Sequence, residues 1–192
     1  MSRFVSDLNA ARAEVSAASS GGAPFLIAFA CTLGLTGVAA FWLDARVIAL
    51  VTLFQGNVAL PLAFWLERRM SAVRMSSDNP LKPLSIQLAM SQILALPAVL
   101  FVYQFAPAAV PAAMAGVGAA HFLPYAWLQR TRLYVGLGMA ASVGPFVLTM
   151  VLRSGAAPWV LIYLSGTYLV TAALIYRRAR VLVRQDLAAQ AA

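Results

Sequence analysis

Six apolar runs of about 18–23 residues dominate this 192-residue chain, each long enough as a helix to cross roughly 30 Å of hydrocarbon. A soluble domain of this length needs a charged surface, and at 62% hydrophobic and 10% charged residues the chain lacks one. Strands are the poor alternative, because the runs show none of the polar–apolar alternation of outer-membrane barrels. The expectation is an all-α fold: a polytopic membrane protein built as a bundle of six transmembrane helices.

The placement of basic residues orients that bundle. Arg3 and Arg12 lie in the N-terminal tail, and Arg68, Arg69, Arg74 and Lys82 around the longest loop. Arg130 and Arg132 lie in the turn near 130, and Arg177, Arg178, Arg180 and Arg184 in the C-terminal tail. Of the 14 Lys and Arg, this leaves only Arg46 and Arg153 for the opposite side. Positive charge near span ends stays cytoplasmic during insertion, so both termini are expected inside. The expected location is the inner membrane of a bacterium.

The division expected is a tail over 1–23, six spans over 24–176, and a basic tail over 177–192. The spans run at about 24–43, 46–66, 84–105, 109–128, 133–152 and 158–176, boundaries set by the apolar runs themselves. Trp42, Trp65, Trp127 and Trp159 all fall at span ends, where amphipathic rings prefer the head-group layer. Pro24 suits a first helical turn, and Asp78-Asn79-Pro80 reads as a turn capping the start of span 3. Between 24 and 176 no room remains for a soluble domain.

No cleavable signal peptide is expected, since Asp7 and Glu14 interrupt the first 23 residues and no apolar core precedes span 1. Phe4, Leu8, Ala11 and Val15 recur at helical spacing, which fits a short interfacial helix; an irregular tail running into Ser19-Ser20-Gly21-Gly22 is the alternative. The net charge of +8 does not imply nucleic acid, because the charge sits at span ends on one face. The partners it implies are the bilayer and its anionic head groups. Cys31 is the lone cysteine and supports neither an internal disulfide nor a thiolate metal site.

Small residues recur four apart at Ala30 and Gly34, at Ala112, Gly116 and Ala120, and at Gly136, Ala140 and Gly144. Such rows let helix backbones approach closely within lipid, either inside one chain or between copies in a homo-oligomer. The segment 60–68 also echoes 123–130 (Leu-Pro-x-Ala, an aromatic, then a basic end), which similar span-end chemistry or duplication explains.

The stretch from Asp78-Asn79-Pro80-Leu81 through His121-Phe122-Leu123-Pro124-Tyr125-Ala126-Trp127 resembles a family of small, uncharacterised bacterial multi-pass membrane proteins. The resemblance covers residues 20–155, with the His-aromatic-x-Pro-Tyr-x-Trp segment its most specific part. It implies the membrane fold and supplies no activity.

All six acidic residues lie in tails, loops or the last turn of a span. With no carboxylate at mid-depth, proton- or sodium-coupled exchange and a Ser–His–Asp triad both lose their usual groups. The histidine of the chain, His121, falls about 10 Å from the end of span 4. Asn57 and Gln55 in span 2, Ser91 and Gln92 in span 3 and Tyr168 in span 6 come to similar depths, about 10–15 Å. Gln87 and Ser91 share one face of span 3 while Ser85 and Gln92 share nearly the opposite one, which argues for a central span 3. Tyr163, Thr167 and Thr171 form a further polar stripe on span 6.

Polar groups in hydrocarbon must meet each other, water or a ligand. For the amides, interhelical hydrogen bonding is the bland reading. The functional one is a polar cavity lined by His121, Asn57, Gln55, Gln92, Ser91 and Tyr168. No cofactor or metal is expected, because a lone histidine supplies at most one strong ligand. The function expected is a small-solute channel, carrier or binding protein. The alternative is a non-transporting accessory or scaffold protein acting through helix association, and the third a lipid-modifying enzyme.

Overall fold

A computed structural model describes residues 3–71 and 73–191, with side chains for all of these except Phe4 and 182–191. The side chains of Arg184 and Asp186 therefore lie outside the described residues. Every regular element among them is helical. The α-helices are α1 (Arg3–Ala18), α2 (Ala23–Ala39), α3 (Ala45–Phe54), α4 (Gly56–Met70), α5 (Lys82–Met90), α6 (Leu96–Phe105), α7 (Val110–Leu128), α8 (Leu133–Leu152) and α9 (Ala156–Ala191). Short 3₁₀ turns link several of them.

Three stretches are long and apolar enough to cross a membrane: Ser20–Ala39, Lys82–Phe105 and Leu133–Val181, the last divided at Arg153–Gly155 into α8 and α9. The pair α3–α4, bent by 40° at its junction, makes a fourth if counted as one broken span. Helix α7, with His121, Pro124 and Tyr125 among its apolar residues, is not among them. Length and apolarity thus support a membrane protein with three to four such segments.

Local chemistry explains the helix ends. Gly22 caps α2 in the left-handed region at φ 85°, and Pro24 opens its first turn. Asp44 caps α3, its Oδ1 accepting from the backbone N–H of Arg46 at 2.9 Å and of Val47 at 3.1 Å. Between α5 and α6 the helix tightens into a 3₁₀ segment over Ser91–Ala95. Pro97 lies just beyond; it has no N–H to give the carbonyl of Ile93, and its ring crowds that turn. Helix α7 ends at a left-handed residue, Arg130 (φ 54°), with Thr131 N–H reaching back to Ala126 at 3.1 Å.

The main core joins α2, α7, α8 and α9 around Leu26, Leu33, Phe122, Leu137, Leu161 and Leu164. Helix α9 packs against both α2 and α8, α7 against α8, and α4 against α2. The α2–α9 contact is close because Ala30, Gly34 and Gly37 admit it: Ser165 Oγ donates to the Ala30 carbonyl at 2.7 Å, where a Gly34 side chain would collide. At Gly144, likewise, a β-carbon would fall on the ring of Tyr163. The Ala30–Gly34 row and the Gly144 end of the α8 row are therefore internal packing faces, while Gly136 faces open space.

Span 3 is not central. In the stretch Lys82–Phe105 only Val99 is fully buried, and the stretch packs mainly on α7. Of the groups that make this segment polar on two faces, the hydroxyls are satisfied locally. Ser85 Oγ donates to Leu81 O at 3.3 Å and Ser91 Oγ to Leu88 O at 2.7 Å. The N-terminal segment is a helix seated on the bundle, with Val15 buried against Leu81 and Leu128.

Candidate functional site

Of the six residues expected to line a cavity, two come together. His121 on α7 and Tyr168 on α9 both pack on Phe122, with ring centroids 4.4 and 5.7 Å from it. Tyr125 meets His121 edge-on at 5.4 Å, and Tyr134 closes the group at 5.9 Å from Phe122 and 6.0 Å from Tyr125. This is aromatic packing at the favoured separations. His121 Nδ1 is buried without a hydrogen-bond partner.

The other four are dispersed. Gln55 sits at the α3–α4 break, half-buried, with Oε1 buried and unpartnered. Asn57, two residues on, is exposed. Ser91 is exposed and Gln92 half-buried, both in the 3₁₀ segment. The hydrogen bonds among the described residues join no two of the six. Two grooves of about 480 and 460 Å³ lie along α8 and α9, and none of the six lines either.

A second polar constellation, at the end of the bundle, is denser. Its hub is the buried turn Ser20-Gly21-Gly22, which runs through three consecutive positive φ angles, 49°, 68° and 85°. The Tyr134 hydroxyl donates to the Gly21 carbonyl at 2.7 Å, and Gln129 Nε2 donates to Ser19 Oγ at 3.1 Å. Ser20 Oγ donates to the carbonyl of Met70 at 3.3 Å, tying in the end of α4. A β-carbon on Gly22 would fall on the Tyr134 hydroxyl, and one on Gly21 would strike Ile175. Only glycine meets both the backbone and the space requirement here.

Around that hub, charged groups fasten α1. Arg12 donates through Nε and Nη2 to the Trp127 carbonyl, and its guanidinium lies 4.4 Å from the Trp127 ring centroid. Burial, and then the positive charge of Arg130, lower the pKa of Arg12 from its ordinary value. Glu14 accepts from the backbone N–H of Ser76 at 2.5 Å and from Asn79 Nδ2 at 2.8 Å. Asn79, buried, also donates to Ala11 O at 3.1 Å and accepts from Leu81 N–H at 2.9 Å. Arg178 Nη1 donates to Thr131 Oγ1 at 2.8 Å and Nη2 to Arg130 O at 2.9 Å.

Sequence reasoning singled out Asp78-Asn79-Pro80 as a turn but missed that Asn79 pins a distant helix. It also allowed Ser19-Ser20-Gly21-Gly22 to be irregular chain. The available signal was the Gly21-Gly22 pair just ahead of Ala23-Pro24 at the start of a helix.

A family described as "Family of unknown function (DUF7010)" matches residues 8–178, so the chain belongs to that family. Comparison with curated proteins and with solved structures found no match.

Proposed function

From membership in that family of unknown function as the premise, we propose that the chain is a six-pass inner-membrane protein with both termini cytoplasmic, acting by lateral association rather than transport. The orientation is supported by the gathering of α1, the 73–81 loop, the α7–α8 turn and the Arg178 region of α9 at one end, where most basic residues sit. The remaining two passes are α7, whose 19 residues can span with little tilt, and the division of Leu133–Val181 into α8 and α9.

The observation that carries the association reading is the α5–α6 segment. It is apolar, leaves most of its side chains exposed within the chain, and presents the amide of Gln87 about 7 Å inside its first residue. An amide facing hydrocarbon is costly, and a neighbouring helix that accepts its hydrogen bonds removes the cost. Beside it, Gly116 of the Ala112–Gly116–Ala120 row faces open space, where a second copy's helix could approach closely. The occupant is a second copy of this chain. Photobleaching counts in nanodiscs at low protein-to-lipid ratio test this: paired copies support it, and strictly single copies at all densities overturn it.

The second reading is a small-solute carrier or binding protein. It is favoured by the break at Gln55-Gly56, since discontinuous helices with unpaired polar groups form solute sites in transporters, and by the unpartnered Gln55 Oε1 and His121 Nδ1. Liposome flux that Gln55→Leu abolishes would establish it.

A further inference from the structure

The groove of about 480 Å³ between α8 and α9 differs at its two ends. Its walls are Leu133, Gly136, Leu137 and Ala140 on α8 and Thr167 and Thr171 on α9. The threonines present no free polarity, because Thr167 Oγ1 donates to Tyr163 O and Thr171 Oγ1 to Thr167 O, each at 2.8 Å. Toward its far end, the Tyr163 hydroxyl donates to the Ala140 carbonyl at 3.1 Å. The outer end opens between Thr131, Arg132 and Arg178. From Thr131 to Ala140 the channel runs about 13 Å along the helix.

We propose that this groove holds one acyl chain of an anionic phospholipid, with the lipid phosphate seated between Arg132 and Arg178. The apolar walls suit the chain, and Arg132 and Arg178 at the same mouth suit the phosphate, since an arginine fork matches phosphate geometry. Arg178 is held at the mouth by Thr131 and Arg130 O, and those two bonds leave further N–H donors on its guanidinium. The nearby carboxylate Glu14 is occupied by Ser76 and Asn79. Positive charge crowds this end, where burial and then Arg130 lower the pKa of Arg12. The inference rests on α8 and α9 crossing a bilayer and not on self-association.

Native mass spectrometry of the full chain, released from micelles containing phosphatidylglycerol or phosphatidylcholine, tests it. Wild type is expected to retain one phosphatidylglycerol about fivefold over phosphatidylcholine, and Arg132→Gln to remove that preference. Gly136→Leu projects a side chain into the groove from a position where a β-carbon meets nothing within 4 Å, and is expected to abolish retention. Gly116→Leu, equally open but on α7, is expected to retain the lipid. Inorganic phosphate added alone is expected not to displace it. Equal retention of the two lipids by wild type, undiminished retention in Gly136→Leu, or displacement by inorganic phosphate overturns the proposal.

Discussion

Helix α2 and the α5–α6 segment are both apolar and of crossing length, yet the bundle treats them oppositely. Half of the apolar window of the Ser20–Ala39 stretch is buried, against 6% of that in Lys82–Phe105. The difference lies in side-chain size and in what holds the ends. Helix α2 carries Ala28, Ala30, Gly34 and Gly37 toward its neighbours and begins in a turn fastened by Tyr134. The α5–α6 segment carries Ile86, Met90, Leu94 and Phe101, all exposed, and is weakened at its middle by a 3₁₀ stretch. Apolarity takes both segments out of water; small residues and an anchored end decide which is gripped by the rest of the chain.

The largest effect should come from breaking the anchored end. Gly22→Val combines a left-handed backbone penalty with loss of the Tyr134 bond, and should cost about 3 kcal/mol or more. Thermal or SDS unfolding in mild detergent measures it, and a loss below about 1 kcal/mol contradicts the role given to this turn. Asn79→Ala removes hydrogen bonds from Ala11, Glu14 and Leu81 together and should cost about 2 kcal/mol. Its more specific signature is release of α1, read as faster amide exchange across residues 5–18 with α2 unchanged. Tyr134→Phe keeps the ring stack but loses the bond to Gly21, for about 1 kcal/mol.

At the other extreme, Gln87→Leu on exposed α5 should leave monomer stability within about 0.5 kcal/mol of wild type. If α5 is where copies meet, the same substitution lowers the fraction of paired copies in nanodiscs. Loss of monomer stability with pairing intact would reverse the contrast drawn between the two segments. Gly136→Ala should have a similarly small effect, a gain of about 0.5 kcal/mol from restricting the unfolded chain, since the site is open and helical.

Much of the helix pattern was legible in the chain. The expected run at 133–152, flanked by Arg132 and Arg153, coincides with helix Leu133–Leu152, and 109–128 differs from Val110–Leu128 by one residue although no charge marks its start. All four tryptophans expected at span ends are exposed there. The break at Gln55 was not read from the sequence: Gln55-Gly56-Asn57 interrupts the apolar run, but no proline stands at the bend and a polar triplet there equally suits cavity lining. Depth along a helix placed Asn57, Ser91 and His121 in one layer, but depth says nothing about azimuth. Asn57 and Ser91 turn outward while His121 packs on Phe122.

Composition and the order of charges determined by themselves that this chain is helical and suited to lipid, because hydrocarbon tolerates no unpaired backbone and few charges. Which helices touch, which glycines are indispensable and where a lipid-sized groove opens were decided only by the tertiary structure. Those outcomes depend on rotation about each helix axis and on contacts between residues more than a hundred positions apart, such as Tyr134 with Gly21. Within one helix, neighbouring rotations bury similar apolar area, so close packing between helices makes the choice.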